Sequence, residues 1–382
     1  MLPKKLLGKL EQRTRDNALR TLPVANELVD FSSNDYLGFS KSQHIFKRTA
    51  EILKEQDVAV NGATGSRLLT GNHRLFEVAE KQLAEFHQVE SALVYNSGYD
   101  ANIGFFSAVP QRGDLIFYDE HCHASIRDGI QMGYAKAFKF KHNNLSDLKA
   151  KSKVKDKPTN CDVYVVTESI FSMDGGSPDL SALIDFCTTN NYHLVIDEAH
   201  ALGVMGRQGE GLVQQLGLQQ KVFARLVTFG KALGCHGAAV LGSKVLIDYL
   251  INFSRSFMYT TALPPHSVAT IIAGYEQLCA TNRERQQLEH IIASFTAEIE
   301  KLGLQEQFRP SLGAIQSCVI PGNDRLKEIS NQLQIAGYDV KPILSPTVPQ
   351  GEERLRICLH CDTSPTDISA LLKTLKHLLH HA

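Results

Sequence analysis

Several short strings in this chain carry residue types that could do chemistry, and each follows an apolar run. Lys231 lies between Gly230 and Ala232 in Leu226-Val-Thr-Phe-Gly-Lys-Ala-Leu-Gly-Cys-His-Gly-Ala-Ala-Val240. The segment reads as a buried strand, a glycine-punctuated turn and a second apolar run. A lysine is strongly hydrated and seldom buried without a partner. Where strands force one inside, burial lowers its pKa and frees the amine as a nucleophile for a carbonyl. Taken alone, the segment also fits a solvated loop lysine.

Leu194-Val-Ile-Asp-Glu-Ala-His200 places Asp197 and His200 just past an apolar strand. A carboxylate there wants a cationic partner, and a protonated ring nitrogen is one. Asp-Glu-Ala-His is also a string of nucleotide-driven helicases, which need Gly-x-x-x-x-Gly-Lys-[Ser/Thr] upstream. The Gly-Lys pairs, at 8–9 and 230–231, are followed by leucine and alanine. The helicase reading fails.

Val94-Tyr-Asn-Ser-Gly-Tyr99 runs from a strand end into a helix start. Small residues there expose N–H groups and the positive helix end to a phosphate, although an ordinary helix cap reads the same way. Asp119-Glu-His-Cys-His-Ala-Ser125 carries His121 and His123. As a zinc site it lacks a third and fourth ligand; one imidazole could stack on a heterocycle, and a surface pair stays open. Thr167-Glu-Ser-Ile-Phe-Ser-Met-Asp-Gly-Gly176 ends a further strand with hydroxyls and an acid able to orient a ligand. Cys358-Leu-His-Cys361 has metal-like spacing, but no second pair accompanies it, and its role is structural.

These strings need a frame. From residue 91, short apolar runs alternate with helix-sized spacers: 91–95, 115–118, 135–140, 163–167, 193–196, 226–229 and 238–241. Most are too continuously apolar for a half-solvated sheet, so the pattern predicts a mostly parallel seven-stranded sheet with helices on both faces. Open sheets of this kind bind ligands at the carboxyl ends of their strands, where the chemical strings fall. Helices are expected over 4–22, 43–55 and 75–86, with a glycine-rich loop, Gly62-Ala-Thr-Gly-Ser-Arg67, between the last two. A long helix from 265 to 295 leads into a small α+β unit: strands 316–320, 338–343 and 355–359, and helices 326–336 and 367–380. The lysine-rich stretch 149–157 reads as a solvated connection.

The bulk numbers limit the function. Hydrophobic residues make up 43% and charged residues 21% of 382, the profile of a soluble globular protein. A formal net charge of −1 gives no electrostatic case for nucleic acid or an anionic membrane. No apolar run reaches the length of a membrane span. Met1–Lys5 leads into charged helix-forming sequence, so no signal peptide is expected. Eight scattered cysteines suit reduced thiols in the cytoplasm.

Taken together, the strings resemble the α-oxoamine synthases. These are fold-type-I pyridoxal-phosphate (PLP) enzymes that condense an amino acid with an acyl thioester and lose carbon dioxide. The likeness covers nearly the whole chain: Ser33-Asn-Asp-Tyr-Leu-Gly38, Gly65-Ser-Arg67, Asn96-Ser-Gly-Tyr99, His121-Cys-His-Ala-Ser125, Glu168 to Gly175, Asp197-Glu-Ala-His200, Thr228-Phe-Gly-Lys231 and Tyr259-Thr-Thr261. Gly237-Ala-Ala-Val240 and the compact length are most similar to the members that use L-alanine and a pimeloyl thioester. Members that use glycine or serine with other thioesters are the alternative.

The resemblance implies a role for each matching position. Lys231 would hold pyridoxal 5′-phosphate and then serve as base at the substrate Cα. Asp197 would pair with the pyridinium nitrogen, His200 and Ser172 with the ring hydroxyl, and His123 would stack on the ring. The phosphate would rest on Ser97, Gly98, Tyr99 and Thr228, and on Thr260 and Thr261 of a neighbouring subunit, making a homodimer with its site at the interface. Asn34 and Arg356 would hold the amino-acid carboxylate, and Arg20 would lie near the acyl group, carried on coenzyme A or acyl carrier protein. Arg356 fits the phase of strand 355–359 better than Arg354, and either could be a plain ion-pair residue. No metal, nucleic acid or membrane is implied. The expected division is 1–42 as an N-terminal helix and substrate-contacting segment, 43–280 as the cofactor domain and 281–382 as the C-terminal domain.

Overall fold

Residues 2–22, 27–153 and 160–381 are described in a computed structural model. The chain divides into two compact units. One comprises Asp35–Ser172 and Ser177–Gln286; the other comprises Met1–Asn34, Met173–Gly176 and Gln287–Ala382.

The larger unit is built on the seven-stranded sheet that the apolar runs require. Its strands are β1 Ser91–Tyr95, β2 Leu115–Asp119, β3 Lys136–Phe140, β4 Val163–Glu168, β5 His193–Asp197, β6 Ala224–Thr228 and β7 Ala238–Gly242. Their order is β1-β7-β6-β5-β4-β2-β3. All neighbours pair parallel except β7, which runs antiparallel to β1 and β6. Successive side chains of a strand point to opposite faces, and the core divides accordingly. Ile116, Val166 and Val195 pack with Phe105 and Ile126 on one face; Phe117, Val165 and Ile196 pack with Leu180 and Ile184 on the other. Each such side chain, fully buried, stabilises the fold by about 1.5–3 kcal/mol. The edge strand β3 is exposed at Lys136 and Lys139, charges that discourage further strand pairing.

The smaller unit holds a three-stranded antiparallel sheet with Arg354–Cys358 between Lys341–Ile343 and Ile315–Val319. Helices Asn323–Ile335 and Pro365–His381 belong to the same unit. Cys358 is a buried strand-end thiol and Cys361 lies in the turn beyond it; neither forms a disulfide.

Some elements depart from expectation. The first helix stops at Arg15, because Asn17 takes a left-handed φ of 47° and the Ala18 N–H turns back to Arg13 O at 2.8 Å. The expected long helix is two, Pro265–Ala280 and Arg283–Leu302. Thr281 between them is extended, and its hydroxyl accepts the Arg283 N–H at 3.0 Å, starting a new helix. The expected strand 338–343 is split: Tyr338–Asp339 pairs with Val29–Asp30, whereas Lys341–Ile343 joins the three-stranded sheet. The lysine-rich connection begins as the end of helix Leu145–Lys151, and its positions 154–157 lie outside the described residues.

Glu198, inside the Asp-Glu-Ala-His string, has a structural task. Its carboxylate lies 3.4 Å from Arg225, and the two side chains are 0% and 1% exposed. Val213 N–H donates to Glu198 Oε1 at 3.0 Å. Removing one member of a buried pair leaves an uncompensated charge, so Arg225→Met is expected to cost about 3–5 kcal/mol. Urea denaturation checks this. The double variant Arg225→Met with Glu198→Gln should recover part of the loss; equal effects from the single and double variants would dismiss the pairing.

Candidate active site

The parallel strands bring their carboxyl ends to one edge of the sheet, and the polar residues collect there. Glu168 ends β4 and Asp197 ends β5, directly opposite each other in register. Both are buried. Two carboxyl groups in a dry place oppose each other's ionisation. Asp197 accepts two N–H groups, Ala199 N–H to Oδ1 and Asn102 Nδ2 to Oδ2, each at 2.9 Å. Glu168 Oε1 accepts the His123 N–H at 2.6 Å. Burial first, and then the charge of Asp197, push the Glu168 carboxyl up to about 8, against smaller opposing contributions from that hydrogen bond and from Lys231.

His123 caps helix Ala124–Met132. Its Nδ1 lies 2.7 Å from Ser125 Oγ and faces the Ser125 N–H at 3.3 Å. Ser125 Oγ in turn accepts from Asn102 Nδ2 at 3.1 Å. A polar chain therefore joins His123 to Asp197 through Ser125 and Asn102. As a residue, His123 remains exposed. Desolvation still lowers its pKa, Asp197 opposes that shift, and Lys231 and Arg127 add to it. The other histidine of the string goes elsewhere: the His121 ring stacks on His142 at 4.2 Å between centroids, and His142 Nδ1 contacts Asp119 at 3.0 Å.

The Asn102–Ser125 contact needs two helices unusually close. An added Cβ at Gly129 would lie 2.8 Å from Asn102 O and 3.0 Å from Ile103 Cα, both backbone atoms of helix Gly98–Ala108. Gly129 lies one turn beyond Ser125, and only hydrogen fits there.

Lys231 sits on the loop between β6 and β7 and is half-buried, not enclosed within a strand. Backbone bonds fix the loop: Phe229 N–H to Gly237 O at 2.9 Å, Cys235 N–H to Phe229 O at 2.8 Å, and Gly234 N–H to Lys231 O at 2.8 Å. Gly234, at φ 59°, lets the Phe39–Ser40 backbone lie against the loop; a Cβ there would be 2.1 Å from Ser40 N. The Lys231 charge acts on both His123 and Glu168.

The remaining expected site residues are distributed as follows. His200 is buried, with Nδ1 2.7 Å from Tyr36 Oη, and Ser172 is buried. Ser97 caps helix Gly98–Ala108, its Oγ accepting the Asp100 N–H at 3.0 Å. Gly98 packs on Thr228, where a Cβ would lie 2.5 Å from Cγ2. Thr228 Oγ1 is buried without a hydrogen-bond partner. Tyr99 points to Asp128, which accepts its phenol at 2.5 Å and raises the phenol pKa. Thr260 Oγ1 and Thr261 O both accept from Asn96 Nδ2, at 3.2 and 2.7 Å, beside Ser97 of the same chain.

In the smaller unit, Arg356 Nη2 donates to Asn34 Oδ1 at 2.7 Å, so these two are brought together. Arg354 is buried and paired with Glu352 at 3.0 Å. Arg20 is exposed and donates to Thr347 Oγ1 at 3.1 Å.

Residues 26–375 match the family model for class I and II aminotransferases. The chain belongs to that family, in its α-oxoamine synthase branch. Among its curated relatives are proteins named 8-amino-7-oxononanoate synthase. The one from Emericella nidulans is 38% identical over 97% of this chain and 93% of its own length. The one from Marinobacter nauticus is 37% identical over 91% and 86%. In fold, the chain is similar to a PLP-bound serine palmitoyltransferase from S. paucimobilis, at a TM-score of 0.88 and 23% identity, covering 99% of this chain and 97% of the other. It is also similar to the 8-amino-7-oxononanoate synthase of Francisella tularensis, at 0.78 and 24%, covering 94% and 99%.

Asn102, Ser125, Tyr36 and the placement of Glu168 were not among the residues singled out from sequence. Asn102 had a signal of its own, an amide inside Ala101-Asn-Ile-Gly-Phe-Phe106, an otherwise apolar helical run. Glu168 allows a test by pH. Its folded pKa stands above the ordinary glutamate value of 4.5, so the folded chain holds a proton that the unfolded chain releases as pH rises. The stability that Glu168 contributes is full below about 4.5 and is lost towards about 8. Glu168→Gln in cofactor-free protein should therefore gain on the parent across that window. Parallel curves of urea midpoint against pH would refute the shift.

Proposed function

We propose that this chain condenses L-alanine with a pimeloyl thioester, releasing carbon dioxide and the free thiol, to give 8-amino-7-oxononanoate. The cofactor is pyridoxal 5′-phosphate. The observation that carries this reading is the set Lys231, Asp197, His123 and Thr228 at one edge of the sheet, in a chain whose curated relatives bear that enzyme's name.

The residues fit the cofactor. Thr228 Oγ1, buried and without a partner, and the Ser97–Tyr99 turn offer donors to a phosphate at a helix start. Asp197, held by two N–H groups, suits a cationic ring nitrogen. The imidazole of His123 suits stacking on the ring, and His200 with Ser172 suits a ring hydroxyl. Bound there, pyridoxal phosphate supplies a carbonyl for an amine and a protonated ring that draws electrons from the substrate Cα.

The chain's own groups do the rest. Lys231 would hold the cofactor through its amine, and the same amine would take the substrate Cα proton and later return it. Asp197 keeps the ring nitrogen protonated. Arg356, steadied by Asn34, takes the substrate carboxylate, a task for which the planar guanidinium is suited. Arg20 meets the acyl donor, whether that is carried on coenzyme A or acyl carrier protein. Thr260 and Thr261 serve the phosphate of the neighbouring subunit in a homodimer. No helix among the described residues is long and apolar enough to cross a membrane, and a cytoplasmic setting goes with this reading.

The test is the mass of the product formed from L-alanine and pimeloyl thioester, with glycine and serine and other thioesters run beside it. Preference for another pair would assign a different member of the family. Lys231→Ala should abolish turnover and leave the protein folded, whereas residual turnover would make another residue the base. Arg356→Lys should raise the KM for L-alanine about 10-fold or more with a smaller change in kcat, because a point charge does not replace a bidentate fork. An unchanged KM would remove Arg356 from the carboxylate site.

A further inference from the structure

We propose that Asn102 and Ser125 are positioning residues that lock His123 to Asp197, fixing the imidazole in one neutral tautomer and the carboxylate in one orientation. The inference rests on the reading above for what those two groups touch.

The direction of each hydrogen bond follows from what each atom can do. Asn102 and Ser125 are 2% and 0% exposed, so no solvent substitutes for their partners. A carboxylate only accepts, and Asp197 Oδ2 lies 2.9 Å from Asn102 Nδ2. The amide therefore turns its N–H groups towards Asp197, and the same nitrogen donates to Ser125 Oγ at 3.1 Å. Ser125 uses a lone pair on Asn102 and sends its own proton to His123 Nδ1, 2.7 Å away. The Ser125 backbone N–H approaches the same nitrogen at 3.3 Å. With two donors aimed at it, Nδ1 carries no proton, and Nε2 does.

A proton on Nδ1 would face those donors, so the geometry opposes the imidazolium in the same sense as the lowered His123 pKa. The charged groups around the ring are mixed: Asp197 and Asp128 favour protonation, Lys231 and Arg127 oppose it, and Glu168 holds the His123 backbone N–H. The arrangement also leaves Asn102 Oδ1 buried and unpaired. An apolar pair of the same shape would avoid that loss, so the amide is not there for stability alone.

The experiment uses the full chain, with and without pyridoxal phosphate, as parent, Asn102→Leu, Ser125→Ala and the double variant. Nitrogen NMR of the His123 ring, assigned against His123→Gln, reports the tautomer. The parent should show one protonated and one bare ring nitrogen. In Ser125→Ala the two signals should move together and His123 should titrate at higher pH, since a bond that favoured the neutral ring is gone. In the loaded enzyme kcat should fall about 10- to 100-fold, the scale of a small misplacement of a reacting group, with KM for L-alanine nearly unchanged. The double variant should be no worse than Asn102→Leu, because members of one chain are not additive. Ser125→Ala with the parent's tautomer and kcat would overturn the proposal, and it decides alone if Asn102→Leu does not fold. A locked tautomer in a chain that condenses no amino acid would defeat the functional reading and leave the lock standing. An active enzyme without the lock would do the reverse.

Discussion

Two carboxyl groups share the dry edge of one sheet, and the rest of the candidate site is an answer to that constraint. Glu168 and Asp197 end neighbouring parallel strands in register, where water cannot screen them. Two like charges so placed cannot both persist. The surrounding groups divide the pair: Asp197 takes an amide and a backbone N–H, and Glu168 takes one backbone N–H and is pushed towards its neutral form. The cation of Lys231 stands within electrostatic reach of Glu168, and an added cation beside Asp197 would relieve the same pair. A site of this kind favours a positively charged ring before any detail of fit is considered.

The frame that creates the constraint is simple. Parallel strands end at one edge, so residues distant in sequence reach it together: Glu168, Asp197 and Thr228 each close a strand. Only β7 runs against the others, and the loop that leads into it carries Lys231. A lysine in a loop held by its own backbone bonds can be half-buried and still turn between two tasks. One enclosed in a strand could not.

The fold was legible in the sequence because continuous apolar runs at helix-sized intervals have few other solutions. Lys231, Asp197 and His200 were legible because charged or titratable residues at the ends of such runs are conspicuous. Element ends were less so: Asn17 and Thr281 stop helices through backbone conformation and a local cap, which apolar periodicity does not encode. Strand phase favours Arg356 over Arg354 and the resemblance favours His123 over His121; the structure adds the Arg354–Glu352 pair and the stacking of His121 on His142. Asn102 and Ser125 escaped for a different reason. Their importance lies in a contact between two helices, and neither string announces the other.

That contact depends on Gly129, which bears no functional group and touches none of the groups assigned to the reaction. Any side chain there would meet the backbone of the neighbouring helix before the amide met the hydroxyl. A substitution there would be accommodated only by a shift of Ile103 or Phe106 across the helix pair. Reactivity at this sheet edge is inherited partly as a missing methyl group.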